Sequence, residues 1–268
     1  MNNTKKKSPI SWVPTAYFAM GLPFVVLNMV TVLMFKGLEV DDKLITFWTS
    51  LILLPWTLKP LWSPFLELFR TKKFFVIVTQ LITGVTFGLV AFALNLSHFF
   101  SISIALLAIV AFSGATHDIA CDGVYMSELS NEDQAKFIGW QGAFYNIAKI
   151  LATGGLVYLA GYFIELNADA GLLTANKRAW MIILLILSVT MILLGIYHLF
   201  ALPSTQSASS RKTLRSNKEV MKELGQVLMD FFRKTHITYY ICFIILYRFA
   251  EGFVMKIVPL FLKADREM

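Results

Sequence analysis

Long apolar blocks, repeated along the chain, limit most sharply what this sequence can fold into. They lie roughly at 12–35, 44–66, 74–94, 101–126, 137–164, 179–202 and 237–262. Each is close to the ~20 residues that an α-helix needs to cross a bilayer core. Backbone in hydrocarbon must satisfy its own hydrogen bonds, so such blocks predict transmembrane helices. Composition agrees, with 57% hydrophobic and 15% charged residues over 268 positions. A soluble domain averages roughly 45–50% and 25%. The expectation is an all-α membrane protein with seven spans.

Charge placement orients it. With the N-terminus inside, segments 1–11, 67–73, 127–136 and 203–236 carry 14 Lys and Arg, against 6 in 36–43, 95–100, 165–178 and 263–268. Basic residues concentrate on the cytoplasmic side of membrane proteins, so the N-terminus is expected to be cytoplasmic. The formal charge of +7 then requires no nucleic-acid partner. Cys121 and Cys242 both fall in apolar runs and support no disulfide framework. The start, MNNTKKKSP, is built like a signal peptide. The apolar run after it is too long and lacks a small-residue cleavage site, so it reads as an uncleaved first span.

Three regions follow: a six-helix bundle over 1–202, a linker over 203–236 and a seventh span over 237–268. The linker opens with PSTQSASS, a flexible tether. It continues as SNKEVMKELGQVLMDFFRK, which puts Val220, Leu224, Val227, Leu228, Phe231 and Phe232 on one helical stripe. Such a helix lies along a membrane face against anionic headgroups; a solvated helical linker is the plainer alternative. Pro14, Pro23, Pro55, Pro60, Pro64 and Pro259 fall in or beside spans and are expected to interrupt backbone hydrogen bonds there.

Charged residues inside the spans carry the functional signal. A charge at the bilayer centre costs ~2.5–3.5 kcal/mol on insertion scales and normally faces a bundle interior or cavity. Here they are Lys59, Asp118, Asp122, Lys149, Arg248, Glu251 and Lys256. Asp118 and Asp122, in the stretch FSGATHDIACDGVYMSEL, are i,i+4 and share a helix face. Gln141, Tyr145 and Lys149 repeat that spacing with Asn146 beside them, and Arg248 and Glu251 are i,i+3. Each has a plainer alternative. Asp122 near a helix end faces headgroups, and Asp118 makes a structural ion pair with Lys59 or Lys149. Lys59 and Lys256 snorkel toward an interface, and the Gln141 stripe holds helices together. His117 and Cys121, also i,i+4, join the acids as metal ligands. No nucleophile elbow, phosphate loop or zinc-protease motif is present, so no enzymatic activity and no cofactor is expected.

Several stretches resemble one family. FAMGLPFVVLNMVTVLMFKGLEVDD, LPWTLKPLWSPFLELF, ATHDIACDGVYMSEL and LYRFAEGF are similar to the peptide–acetyl-coenzyme A–drug transporter group of the major facilitator superfamily, which includes the AmpG-type muropeptide permeases. The matching blocks are Gly21-Leu22-Pro23, Lys59-Pro60-Leu61-Trp62-Ser63-Pro64 and Asp118-Ile119-Ala120-Cys121-Asp122. His117 stands where a Gln is common and Glu67 for an Asp, and the FRTKK loop lacks the family's glycines. The resemblance implies a major facilitator-type six-helix N-terminal bundle, then a linker and the first helix of an incomplete C-terminal bundle. Such transporters have twelve spans, so the 268-residue product is expected to be a fragment that does not transport alone, with a loosely docked seventh span. It further implies a secondary transporter in a bacterial inner membrane, importing muropeptides or a similar bulky polar solute with protons. Substrate and proton coupling fall on Asp118, Asp122, Lys59, Lys149, Gln141, Tyr145, Asn146, Arg248 and Glu251. A coenzyme A ester or a drug as solute, or a scaffold or receptor without transport, are the alternatives.

Overall fold

The structure, a computed structural model, describes residues 7–69, 71–203, 225–226, 229–230, 232–243 and 246–247. The chain divides into two units, Met1–Ala208 and Ser209–Met268.

Among its described residues the first unit is helical, with turns between helices. A short 3₁₀ turn, Pro9–Ser11, leads into α1 (Val13–Val25), which continues through a π-helical segment, Val26–Val30, into α2 (Thr31–Gly37). Then come α3 (Asp42–Ile52), α4 (Leu54–Phe69), α5 (Lys72–Ala93) and α6 (Phe99–Glu128). Next α7 (Asn131–Ile150) runs through a second π-helical segment, Leu151–Leu156, into α8 (Val157–Leu166), and α9 (Leu172–Ala201) closes the unit. Among the described residues, five continuous helical runs are long and apolar enough to cross a membrane: Pro9–Gly37, Lys72–Ala93, Phe99–Glu128, Asn131–Leu166 and Leu172–Ala201.

The expected second span, 44–66, is not one helix. It breaks at Leu53, where α3 ends and α4 begins. Pro55 sits second in α4, where a missing N–H is tolerated, and Trp56 N–H bonds Leu53 O to close the turn. Pro14 is likewise in the first turn of α1 and interrupts nothing, correcting the expectation that each proline removes a bond. Pro23 does sit inside its helix, and the π-helical segment follows it within three residues. A wide turn there absorbs the local disruption.

Polar side chains set the helix starts. Asp41 accepts from the N–H groups of Lys43 and Leu44 at 2.9 and 3.3 Å, opening α3. Thr71 accepts from Phe74 N–H to open α5, and Ser130 from Asp133 N–H to open α7. These caps satisfy donors that the helix itself cannot. The Ser130 cap lies in polar sequence, so the helix begins well before residue 137, where hydropathy places the span. At the other end of a helix, Lys73 Nζ donates to Leu202 O at 2.8 Å, just past α9.

In the packing, α5 lies against both α6 and α9, while α1 contacts α6 and α7. Gly84 makes the α5–α9 contact possible, because a Cβ there would lie 2.9 Å from Ser188 O and 3.0 Å from Ile192 N. Gly84 and Gly88 form a G-x-x-x-G pattern, a small-residue surface that lets membrane helices approach closely. Outward faces carry large apolar side chains such as Phe92, Phe112, Ile150 and Phe200, as a lipid-facing surface requires.

Inside are two buried apolar clusters. One holds Leu27, Phe35, Phe87, Leu107 and Ile183; the other holds Trp12, Tyr17, Val76, Cys121, Val124 and Leu202.

In the second unit, helical backbone is described at 225–226, 229–230, 232, 237–243 and 246–247. Arg248, Glu251, Lys256 and Pro259 lie outside the described residues, as do Val220, Leu224, Val227, Leu228 and Phe231 of the expected amphipathic stripe. Phe232 is exposed.

Candidate functional site

The second half of α6 brings the polar groups together. Its apolar start gives way to Ser113, His117, Asp118 and Asp122, and each finds a partner on another helix.

Asp118 is buried, and its Oδ2 receives two donors from α4: Lys59 Nζ at 2.6 Å and Trp56 Nε1 at 2.9 Å. Residues 56 and 59 are i,i+3, so both reach from one face of α4. The alternatives for an Asp118 ion pair, Lys59 or Lys149, resolve to Lys59. Lys59 therefore does not snorkel away. Asp118 Oδ1 is buried and has no hydrogen-bond partner among the described residues.

One turn further on, Asp122 is exposed, and its Oδ1 accepts from Tyr17 OH at 2.8 Å. Gln141 Nε2 in turn donates to Tyr17 OH at 2.7 Å. The result is a directional line from α7 through α1 to α6: Gln141 amide, Tyr17 hydroxyl, Asp122 carboxylate. Tyr17 accepts one bond and donates its single proton onward, the arrangement a hydroxyl with one hydrogen permits.

Behind His117 runs a second line through the interior. Gln80 Nε2 lies 2.9 Å from His117 Nε2, Gln80 Oε1 lies 2.9 Å from His198 Nδ1, and His198 Nε2 lies 2.9 Å from Thr15 Oγ1. Gln80 and His198 are fully buried, and the strap ties α6, α5, α9 and α1. Gln80 turns its amide nitrogen to His117 and its carbonyl oxygen to His198, so it accepts from only one of the two histidines. With its amide turned toward His117, that ring's Nε2 is an acceptor and its proton sits on Nδ1, which is buried without a partner among the described residues.

Among the remaining expected site residues, Tyr145 is half-buried beside the cluster around Tyr17 and packs against Gly21. Asn146 is exposed and donates to Gly142 O in its own helix, so it does not join the carboxylates. Lys149 is half-buried and makes no ion pair among the described residues. Arg248 and Glu251 lie outside them. His117 bonds Gln80 rather than sharing a ligand set with Cys121, and among the described residues no group of three His, Cys, Asp or Glu side chains could hold a metal.

Tyr17, Trp56, Gln80, His198 and Thr15 were not singled out by the sequence. Trp56 had a usable signal, its i,i+3 relation to Lys59. Gln80 and His198, single polar residues in long apolar runs, could have been flagged on insertion cost alone. An apolar groove of about 580 Å³, bordered by Trp48, Leu58, Phe100, Ile104 and Phe112, lies beside the first half of α6 and includes none of these polar residues.

Comparison of the chain with family models, with curated proteins and with solved structures finds no match in any of the three.

Proposed function

We propose that this chain forms the proton-coupling bundle of a secondary transporter of the major facilitator type. One observation carries the reading: a carboxylate buried in a membrane-length helix, paired to a lysine of the neighbouring α4, with its second oxygen unsatisfied among the described residues. A purely structural pair would be cheaper as two apolar residues, because burying both charges offsets most of their attraction. Retaining it makes sense where the pair must open. When a proton occupies Asp118, the attraction to Lys59 disappears and α4 is released from α6; when the proton leaves, the pair re-forms. Alternation of that kind, coupled to the rocking of two bundles about a midplane site, loads and unloads a solute.

Asp122, Tyr17 and Gln141 then supply the solute contacts. Asp122 is exposed, and its hydroxyl and amide neighbours suit a polar, hydroxyl-bearing or amide-bearing solute such as a sugar-peptide. On this reading the N-terminus is cytoplasmic and the membrane is a bacterial inner membrane, as the basic-residue distribution and the family resemblance support.

The test is uptake of labelled anhydro-muropeptide under an imposed pH gradient, in vesicles from cells expressing this chain within the twelve-span protein that the reading requires. Asp118→Asn is expected to abolish gradient-driven uptake while membrane insertion is retained. Undiminished pH-dependent uptake by Asp118→Asn would remove that carboxylate from coupling, and no gradient-driven uptake by the unaltered protein would remove this solute class.

A further inference from the structure

Gly114, Asp118 and Asp122 follow one another at i,i+4 on the same face of α6. The Trp56 indole lies over the first of them. A Cβ at Gly114 would sit 2.8 Å from Trp56 Cζ2 and 3.0 Å from Cη2, while Pro23 Cβ, at 3.5 Å, would be in ordinary contact. Phe24 of α1 also meets the indole edge-on, with centroids 5.3 Å apart. The indole therefore contacts both α6 and α1, and a side chain at position 114 would compete with it for space.

The ring is rigid, and that makes the contact matter. Nε1 and Cζ2 are joined through a single ring carbon, so pushing Cζ2 moves Nε1. Ordinary contact begins at 3.4 Å, so a methyl group at 114 displaces the ring by roughly half an ångström. The Nε1 bond to Asp118 Oδ2 is 2.9 Å long. A shift of that size takes it toward ~3.5 Å, the outer limit of a hydrogen bond.

We propose that Gly114 is a positioning residue: its missing side chain seats Trp56, and Trp56 with Lys59 holds Asp118 by Oδ2, so that Oδ1 is the oxygen presented for proton exchange. The assignment of proton exchange to Asp118 rests on the transport reading above; the seating of Trp56 by Gly114 does not.

The test measures the hold on Asp118 without requiring transport. The 268-residue chain is reconstituted in liposomes and treated with dicyclohexylcarbodiimide, which modifies carboxyl groups in apolar surroundings. Modification at residue 118 is followed by peptide mass spectrometry, with Asp118→Asn as the blank. Trp56→Phe, which lacks the donor, is expected to raise the labelling rate roughly fivefold, about the worth of one hydrogen bond. Gly114→Ala is expected to do the same. Phenylalanine does not reach as far as Cζ2 and Cη2, so Gly114→Ala in a Trp56→Phe background is expected to add nothing. If Gly114→Ala fails to fold, the double variant is expected to fold again. Labelling of Gly114→Ala at the unaltered rate, an equal further increase in the Trp56→Phe background, or a double variant that remains unfolded would each overturn the proposal. Absence of solute uptake by the unaltered protein, with the labelling pattern as expected, would count against the transport reading alone.

Discussion

The two halves of α6 make an instructive pair. From Phe99 to Phe112 the helix buries Ile104, Leu107, Val110 and Ala111, with Ser103 as its one buried polar side chain. From Ser113 to Glu128 it buries Ser113, His117 and Asp118. Both halves belong to one continuous helix of membrane-crossing length. They differ in what faces them. The first half meets the apolar cluster around Phe35 and Ile183, whereas the second meets Thr79, Gln80, Lys59 and Trp56. In the second half of α6, Ser113, His117 and Asp118 are each answered by another helix, whereas the Ser103 hydroxyl in the first half is buried with no partner among the described residues. Stability in the first half is a matter of packed volume; in the second it depends on matched pairs.

That contrast can be broken experimentally. The largest effect is expected from Lys59→Ala, which leaves Asp118 buried without its cation and should destabilise the protein by about 3 kcal/mol. Thermal unfolding in detergent measures it. Lys59→Met with Asp118→Leu should recover most of that loss, since the uncompensated charge is gone. If the double variant is as unstable as the single, matched polarity is not what governs the second half.

Leu107→Ala probes the other half and should cost about 2 kcal/mol through lost packing, the low end for a core leucine because lipid removes most of the hydrophobic drive between helices. No second substitution at a distance should rescue it. A pairwise rescue there would erase the distinction.

Smaller again is Gln80→Leu. It removes the centre of the strap and leaves ring nitrogens of His117 and His198 facing apolar surface, for a loss of ~1.5 kcal/mol. Adding His198→Phe should recover part of it, because one of the stranded nitrogens is then absent. An unchanged unfolding temperature for Gln80→Leu would show that the strap contributes nothing net.

Much of the architecture was legible in the residues. Hydropathy blocks located the long helices, since lipid demands about 20 apolar residues per crossing. The i,i+4 spacing of Asp118 and Asp122 was enough to put both on one face, although that face turned out to bury one and expose the other. Two features escaped. The break at Leu53 was hidden because hydropathy averages across a turn of one residue. The strap from His117 to Thr15 was hidden because its members are 183 positions apart at the extremes of one bond, and no local period links them. Asn146 failed for the opposite reason: its local spacing beside Gln141 and Tyr145 was clear, yet its amide turned back to bond its own helix.

Sequence alone therefore determined what lipid enforces locally: an all-helical chain, where its long helices run, and which residues are too costly to be idle inside them. Pairing was left to the tertiary structure. Lys59 and Lys149 are equally plausible partners for Asp118 when only charge and span are known, because a Coulomb attraction has no sequence address. Packing chose between them. It set Lys59 and Trp56 of α4 on one carboxylate oxygen, Tyr17 on Asp122, and Gln80 between two histidines. Such bonds form only within about 3 Å, and that distance is decided by which helix faces are brought together.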